Sequence, residues 1–178
     1  MSKTNNLIFK GLLIVAWIIF VGLCVESGGL MVNFVFSLYE PEVVQNLYQK
    51  LDLSEMYRES RMTFYSIYSF ILVIAILKAY LFYIVVRLMH KLDLSEPFSS
   101  FVSRRIAEIS YFTLSIGLLS YLAGETAEGL LQQGLLTENL THFWEGSRAF
   151  ILMGAVIYII ATIFKKGVEL QTENELTV

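Results

Sequence analysis

The sequence holds a single cysteine, two histidines and two prolines, and only 16% of its residues are charged. One cysteine cannot close an intramolecular disulfide, and with two histidines it supplies too few ligands for a soft-ligand zinc site. A phosphate-binding glycine loop, a paired-histidine helix and a serine elbow with an accompanying base are all missing, so an enzyme is the least favoured class and no cofactor is expected. Lys and Arg number 13 against 16 Asp and Glu, a net charge of −3, which leaves no electrostatic case for direct nucleic-acid binding. Soluble domains carry about a quarter charged residues, and the shortfall here is filled by apolar ones. These make up 56% of the 178 residues, with a mean hydropathy of +0.61, so the lipid bilayer is the expected solvent.

Four apolar stretches stand out, at about 11–38, 62–86, 106–123 and 146–164. The first, from Gly11 to Leu38, is interrupted only by Glu26 and a few small or polar groups. As a helix it measures about 42 Å against a hydrocarbon core of about 30 Å, so it must tilt, bend or project, and Gly28-Gly29 is the natural place to bend. The second carries Lys78 as its only charge, the third only Glu108 near its start, and Phe143 and Trp144 can extend the fourth at the interface. A spanning segment must satisfy its own backbone hydrogen bonds, so each stretch is expected to be helical; without alternating ten-residue segments, a barrel is excluded. Lys3 and Lys10 precede an apolar run with Cys24 behind it, but Leu23 is too large for a lipoprotein processing site and apolar sequence resumes after Gly29, so an uncleaved span is expected.

Four spans place both termini on one side. Lys3, Lys10, Arg87, Lys91, Arg104, Arg105, Lys165 and Lys166 fall on the side of the termini, against Lys50, Arg58, Arg61 and Arg148 on the other. Eight against four, clustered at helix ends, predicts cytoplasmic termini. Phe64, Tyr65 and Tyr68 at one end of the second span, and Tyr80, Phe82 and Tyr83 towards the other, read as two interfacial belts. In the first loop Val43, Val44, Leu47, Tyr48 and Leu51 recur at helical spacing after Pro41, which predicts an amphipathic helix lying on the outer leaflet or capping the bundle. The hexapeptide KLDLSE occurs at 50–55 and at 91–96; the predicted topology puts the copies on opposite faces, so it is read as coincidence, each copy serving as a helix start. Asp93 to Phe98 then reads as a turn shaped by Pro97, and Gly167 as the stop of the last helix. The remaining tail, 167–178, is read either as a frayed, solvated end or as a segment that docks on a partner.

Charges within spans cost about 2.5–3.5 kcal/mol each on insertion scales, so they should face the bundle or reach an interface. Helical rise from the ends of the apolar runs offsets Glu26 from Lys78 by about 10 Å, too far for a favoured pair. Lys78 is expected instead to snorkel towards Glu108, and Glu26 to meet Arg148 in company with Glu125 and Glu128, which lie three apart on one helical face. These six residues make either an outward-facing polar pocket for a proton, cation or small ligand, or a set of structural pairs that staple the bundle; the structural reading is preferred. Ser120, Ala123, Gly124 and Ala127 give the third span small residues at i, i+4 spacing, which can seat an intramolecular neighbour or a second subunit in a homo-oligomer. Cys24 is expected as a small core residue.

Two stretches carry a resemblance: Glu96-Pro97-Phe98-Ser99 followed by Arg104-Arg105, and the tail Phe164-Lys165-Lys166-Gly167-Val168-Glu169-Leu170-Gln171 closing with Glu173-Asn174-Glu175-Leu176-Thr177-Val178. They resemble the bacterial four-span membrane proteins grouped as domain of unknown function 2975, with a similarity read from the first span to the last residue. The resemblance implies a protein of the bacterial cytoplasmic membrane with no assigned activity. It also implies a cytoplasmic partner, a small helix-turn-helix DNA-binding regulator. Arg104, Arg105, Glu169, Leu170, Glu173, Asn174 and Leu176 then become candidate contacts. The expected architecture is an all-α, integral membrane four-helix bundle, N-in and C-in, with an amphipathic helix in the first outer loop. The favoured role is a regulatory or sensor subunit; the alternative is a small transport or channel subunit with Glu26, Lys78, Glu125 and Glu128 along a polar route.

Overall fold

The computed structural model describes residues 3–48, 52–92, 98–134 and 140–176, and among these it is entirely helical apart from turns and short connections. Four helices are long and apolar enough to cross a membrane: α1 (Lys3–Tyr39), α3 (Arg61–Lys91), α4 (Ser100–Gln132) and α6 (Ser147–Leu176). Two short helices, α2 (Ser54–Glu59) and α5 (Thr141–Trp144), lie in the first and third connections. Each long helix outruns the apolar stretch that marks it, because the flanking Lys, Arg, Glu and Gln are good helix formers, and serines cap the starts of α3 and α4. Ser60 Oγ accepts from the Thr63 amide at 3.2 Å to start α3, and Ser99 Oγ from the Val102 amide at 3.3 Å to start α4.

The long helices run antiparallel in chain order. Phe34 stacks on Tyr68 while Phe20 meets Tyr83; Tyr80 meets Phe112 while Lys91 lies over Phe101; Tyr111 meets Tyr158 while Phe98 meets Phe164. These pairs fix α1 on α3, α3 on α4 and α4 on α6, and these three pairings are the extensive contacts between long helices among the described residues. The bundle is therefore a row. In the most apolar stretches of α3 and α4, 39% and 33% of the residues are buried, against 6% and 11% in α1 and α6. The outer helices of the row leave most of their apolar residues outside the core.

The end that holds the first and third connections, here the cap end, differs from expectation in two ways. In place of one amphipathic helix, a 3-10 turn (Pro41–Asn46) is followed by α2, and the Leu53 amide returns to the Val44 carbonyl at 3.2 Å to fold the segment back. Val44, Leu47, Leu53, Met56 and Tyr57 are buried, so the segment caps the row and does not lie on its surface. Phe64 and Tyr68, expected in an interfacial belt, are fully buried beneath this cap, and Tyr57, Phe64, Tyr65, Tyr68 and Phe34 form one aromatic cluster. Burial of large rings outweighs their interfacial preference once a cap is available to cover them. The Asp52 carboxyl is held below the usual range by bonding from the Ser54 side chain and from the Ser54 amide, which donates to Oδ1 at 2.9 Å at the start of α2.

Two glycines sit against large rings. The helix runs unbroken through Gly28-Gly29, and a Cβ on Gly29 would lie 2.6 Å from the Tyr48 ring, so this glycine admits the cap against α1. Gly167 does not stop α6, which continues to Leu176; a Cβ there would lie 2.7 Å from Phe98. The expected turn at Asp93 to Phe98 falls almost wholly outside the described residues, as does Asp93–Glu96 of the second KLDLSE copy.

Candidate functional site

The strongest inter-helix seam lies between α4 and α6. A Cβ on Gly117 would stand 2.7 Å from the Ile151 backbone nitrogen, and one on Gly154 2.8 Å from the Leu114 nitrogen, so each glycine admits the other helix's backbone. Ser110 Oγ, buried, donates to the Gly154 carbonyl at 3.0 Å across the seam. Further along α4, Ser120, Ala123 and Ala127 are buried and Gly124 lies against Trp144 of α5, so the small-residue face seats an intramolecular neighbour. Gly117 and Gly154 were not singled out in the sequence; a glycine costs a helix about 1 kcal/mol relative to alanine, and that is the signal that marks them.

The charged residues fall into three places. Lys78 Nζ donates to the Phe143 carbonyl at 3.4 Å, near the C-terminal end of α5, and Glu26 is the charge that acts on it. Lys78 therefore does not turn towards Glu108, which pairs with Arg105 one turn before it on α4. The aromatic pairs between α1 and α3 set Glu26 about 2 Å from the level of Lys78 along the axis, far less than the offset expected from the ends of the apolar runs. Glu26 accordingly sits in the field of Lys78 and is absent from the surroundings of Arg148.

At the cap end, Glu125, Glu128 and Arg148 do come together, as the sequence suggested. They line a cleft of about 240 Å³ between α4, α5 and the start of α6, with Glu145, Thr141 and Trp144 also in its walls. Gly146 carries φ +80° immediately before α6, a left-handed turn that brings Glu145 and Arg148 to the same rim. Among the described residues neither glutamate makes an ion pair with Arg148, so the cleft is polar and open where a staple was preferred.

The opposite end, the tail end, sorts the candidate contacts. Arg105 is drawn inward: its guanidinium pairs with Glu108 and lies 5.4 Å from the Phe101 ring centre, its side chain is 16% exposed, and its buried Nε has no hydrogen-bond partner among the described residues. Its charge is thus already paired within α4. Arg104 is exposed and lines a second cleft, about 540 Å³, between α4 and α6. Glu169 lines that cleft and is bonded to Lys166 at 2.6 Å. Leu170, Gln171, Glu173 and Asn174 are exposed on the last turns of α6, whose backbone ends at Leu176; the Leu176 side chain lies outside the described residues. Cys24, expected in the core, is exposed on α1.

The family model described as a protein of unknown function, DUF2975, matches residues 48–178. The chain belongs to the DUF2975 family. The resemblance carried by the second loop and the tail is thus borne out, over a range that starts after α1 where the sequence suggested the first span. Both clefts, the α4–α6 seam and the terminal turns of α6 lie in the DUF2975 portion. No curated protein and no solved structure matches the chain.

Proposed function

We propose that this DUF2975 protein is a non-enzymatic regulatory subunit of the bacterial cytoplasmic membrane, with cytoplasmic termini, that holds a small helix-turn-helix DNA-binding protein on the end of α6. The observation that carries this reading is the form of the tail. Where a solvated terminus would fray, α6 continues unbroken from Phe164 to Leu176, about 18 Å of helix beyond the apolar span. Leu170 is 60% exposed on that arm, among the exposed polar residues Gln171, Glu173 and Asn174. An isolated apolar anchor on an otherwise polar helix suits a groove on a soluble protein. The cap-end cleft with Glu125, Glu128 and Arg148 is the corresponding place on the other face where an external state is received.

A transport role asks Glu26, Lys78, Glu125 and Glu128 to share one route. Lys78 bonds the Phe143 carbonyl with Glu26 in its field, while the two α4 glutamates line a cleft whose walls include neither of the former pair. That division supports regulation over transport.

The test is purification of the full chain and of a version ending at Glu169, which keeps the Lys166–Glu169 bond and the Gly167–Phe98 contact, followed by mass spectrometry of what co-purifies. A small DNA-binding protein held by the full chain and lost from the shortened one is expected. Identical partner sets, or none with either, overturn the reading.

A further inference from the structure

The cleft between α4 and α6 at the tail end has a graded lining. At its outer end stand Arg104 from α4 and Lys165 from α6, with the hydroxyls of Ser100 and Ser103 beside them. Seven residues deeper on each helix, about 10 Å along the axes, stand Tyr111 and Tyr158, whose ring centres are 6.2 Å apart and whose surfaces are about half exposed. Between these levels the lining residues are Ala107, Ala161 and Thr162, and the Thr162 hydroxyl is already bonded to the Tyr158 carbonyl at 2.9 Å. Small side chains keep the floor low between the two helices.

From mouth to depth the order is therefore two cations with serine hydroxyls beside them, then small groups, then two amphipathic rings. This is the order of a phospholipid read from its phosphate towards its acyl chains. The level is right too: Lys165 follows Phe164, the last residue of the α6 apolar run, and Arg104 precedes Ile106, where the α4 run begins. The one carboxylate in the lining, Glu169, is bonded to Lys166 at 2.6 Å, and it also draws on Lys165. Arg104 has no ion pair among the described residues. Basic pockets between spanning helices at headgroup level are where anionic headgroups bind.

We propose that this cleft binds the headgroup of an anionic phospholipid from the leaflet facing the tail, with Arg104 and Lys165 on the phosphate and Tyr111 and Tyr158 against the glycerol and upper chain. The site is independent of whether the arm holds a regulator.

Native mass spectrometry of the full chain, titrated with phosphatidylglycerol or phosphatidylcholine in mild detergent, reads this directly. Phosphatidylglycerol is expected to bind preferentially, and Arg104→Gln and Lys165→Gln each to weaken it about fivefold, with no change for Lys10→Gln, an exposed cation outside the cleft. Ser103→Glu, which adds a charge without removing a cation, should abolish the preference and covers the case in which a cation variant fails to fold. Equal binding of the two lipids, or an equal effect of Lys10→Gln, overturns the proposal. Displacement of phosphatidylglycerol by millimolar inorganic phosphate overturns the choice of a lipid and assigns the cleft to free phosphate.

Discussion

The two outer helices of the row are held in different ways. α6 lies on α4 through backbone approach: Gly117 meets Ile151, Gly154 meets Leu114, and a serine hydroxyl bonds across. α1 lies on α3 through large rings, with Phe34 stacked on Tyr68 and the buried Tyr68 hydroxyl bonded to the Leu30 carbonyl at 3.0 Å. In lipid there is no water to expel from between apolar helices, so association depends on close packing and on hydrogen bonds. The α4–α6 seam relies on the first over its length. The α1–α3 seam concentrates its bonding under the cap, and the rest of α1 faces outward, with Gly11, Gly22 and Gly28 each meeting nothing within 4 Å.

The largest effect is expected where a side chain is forced into the tight seam. Gly154→Leu would place its first carbon 2.6 Å from the Leu114 side chain, and overpacking of this kind costs about 3 kcal/mol or more. Gly22→Leu, on the open face of α1, should change stability by less than about 0.5 kcal/mol. Unfolding of the full chain by sodium dodecyl sulfate in mixed micelles measures both, and equal losses would erase the distinction between the seams. Next comes Tyr68→Phe, which removes the hydroxyl's bond to the Leu30 carbonyl at a cost of about 1 kcal/mol by the same assay. If it costs nothing, the ring stack alone holds α1.

Lys78 tests the place where the two halves of the row meet, because it ties α3 to α5. Its single long bond to Phe143 does little to offset the removal of an ammonium group from water, so Lys78→Met should raise stability by about 1 kcal/mol. A marked loss would show instead that the bond holds α5 in place. The smallest effect is at the cap. Ser54 holds the Asp52 carboxyl below its ordinary value, so this carboxylate stabilises the fold above pH of about 4 and its contribution is lost as pH falls through the depressed value. The group is nearly fully exposed, and solvent screening limits the gain to a few tenths of a kcal/mol. Thermal midpoints of the native chain and of Asp52→Asn should differ slightly at neutral pH and converge in acid.

What was legible in the sequence follows from how local each signal is. Four apolar runs announce four helices because a spanning backbone has no other partner than itself. Glu125, Glu128 and Arg148 were also read correctly as neighbours, since they flank one connection between antiparallel helices. The partner of Lys78 was misread because axial offset depends on the register between α1 and α3, which aromatic packing sets and the ends of apolar runs do not. Glycines show the limit plainly: Gly22 and Gly154 sit in similar apolar runs, yet one meets open space and the other a backbone nitrogen. Only the identity of the neighbouring helix separates them. Arg105 and Arg104 are adjacent in sequence and equally basic, and the turn of the helix alone sends one to Glu108 and the other to the cleft.

The unbroken run of α6 has a mechanical meaning. Gly154 seats it on α4 and Gly167 meets Phe98, and from there nine residues of continuous helix lead to Leu176, a lever of about 14 Å without a joint. A tilt of about 10° at that fulcrum carries the far end through about 2 Å by the same helical rise. Whatever alters the fit of Gly167 on Phe98 is thus felt at the tip as a change of position.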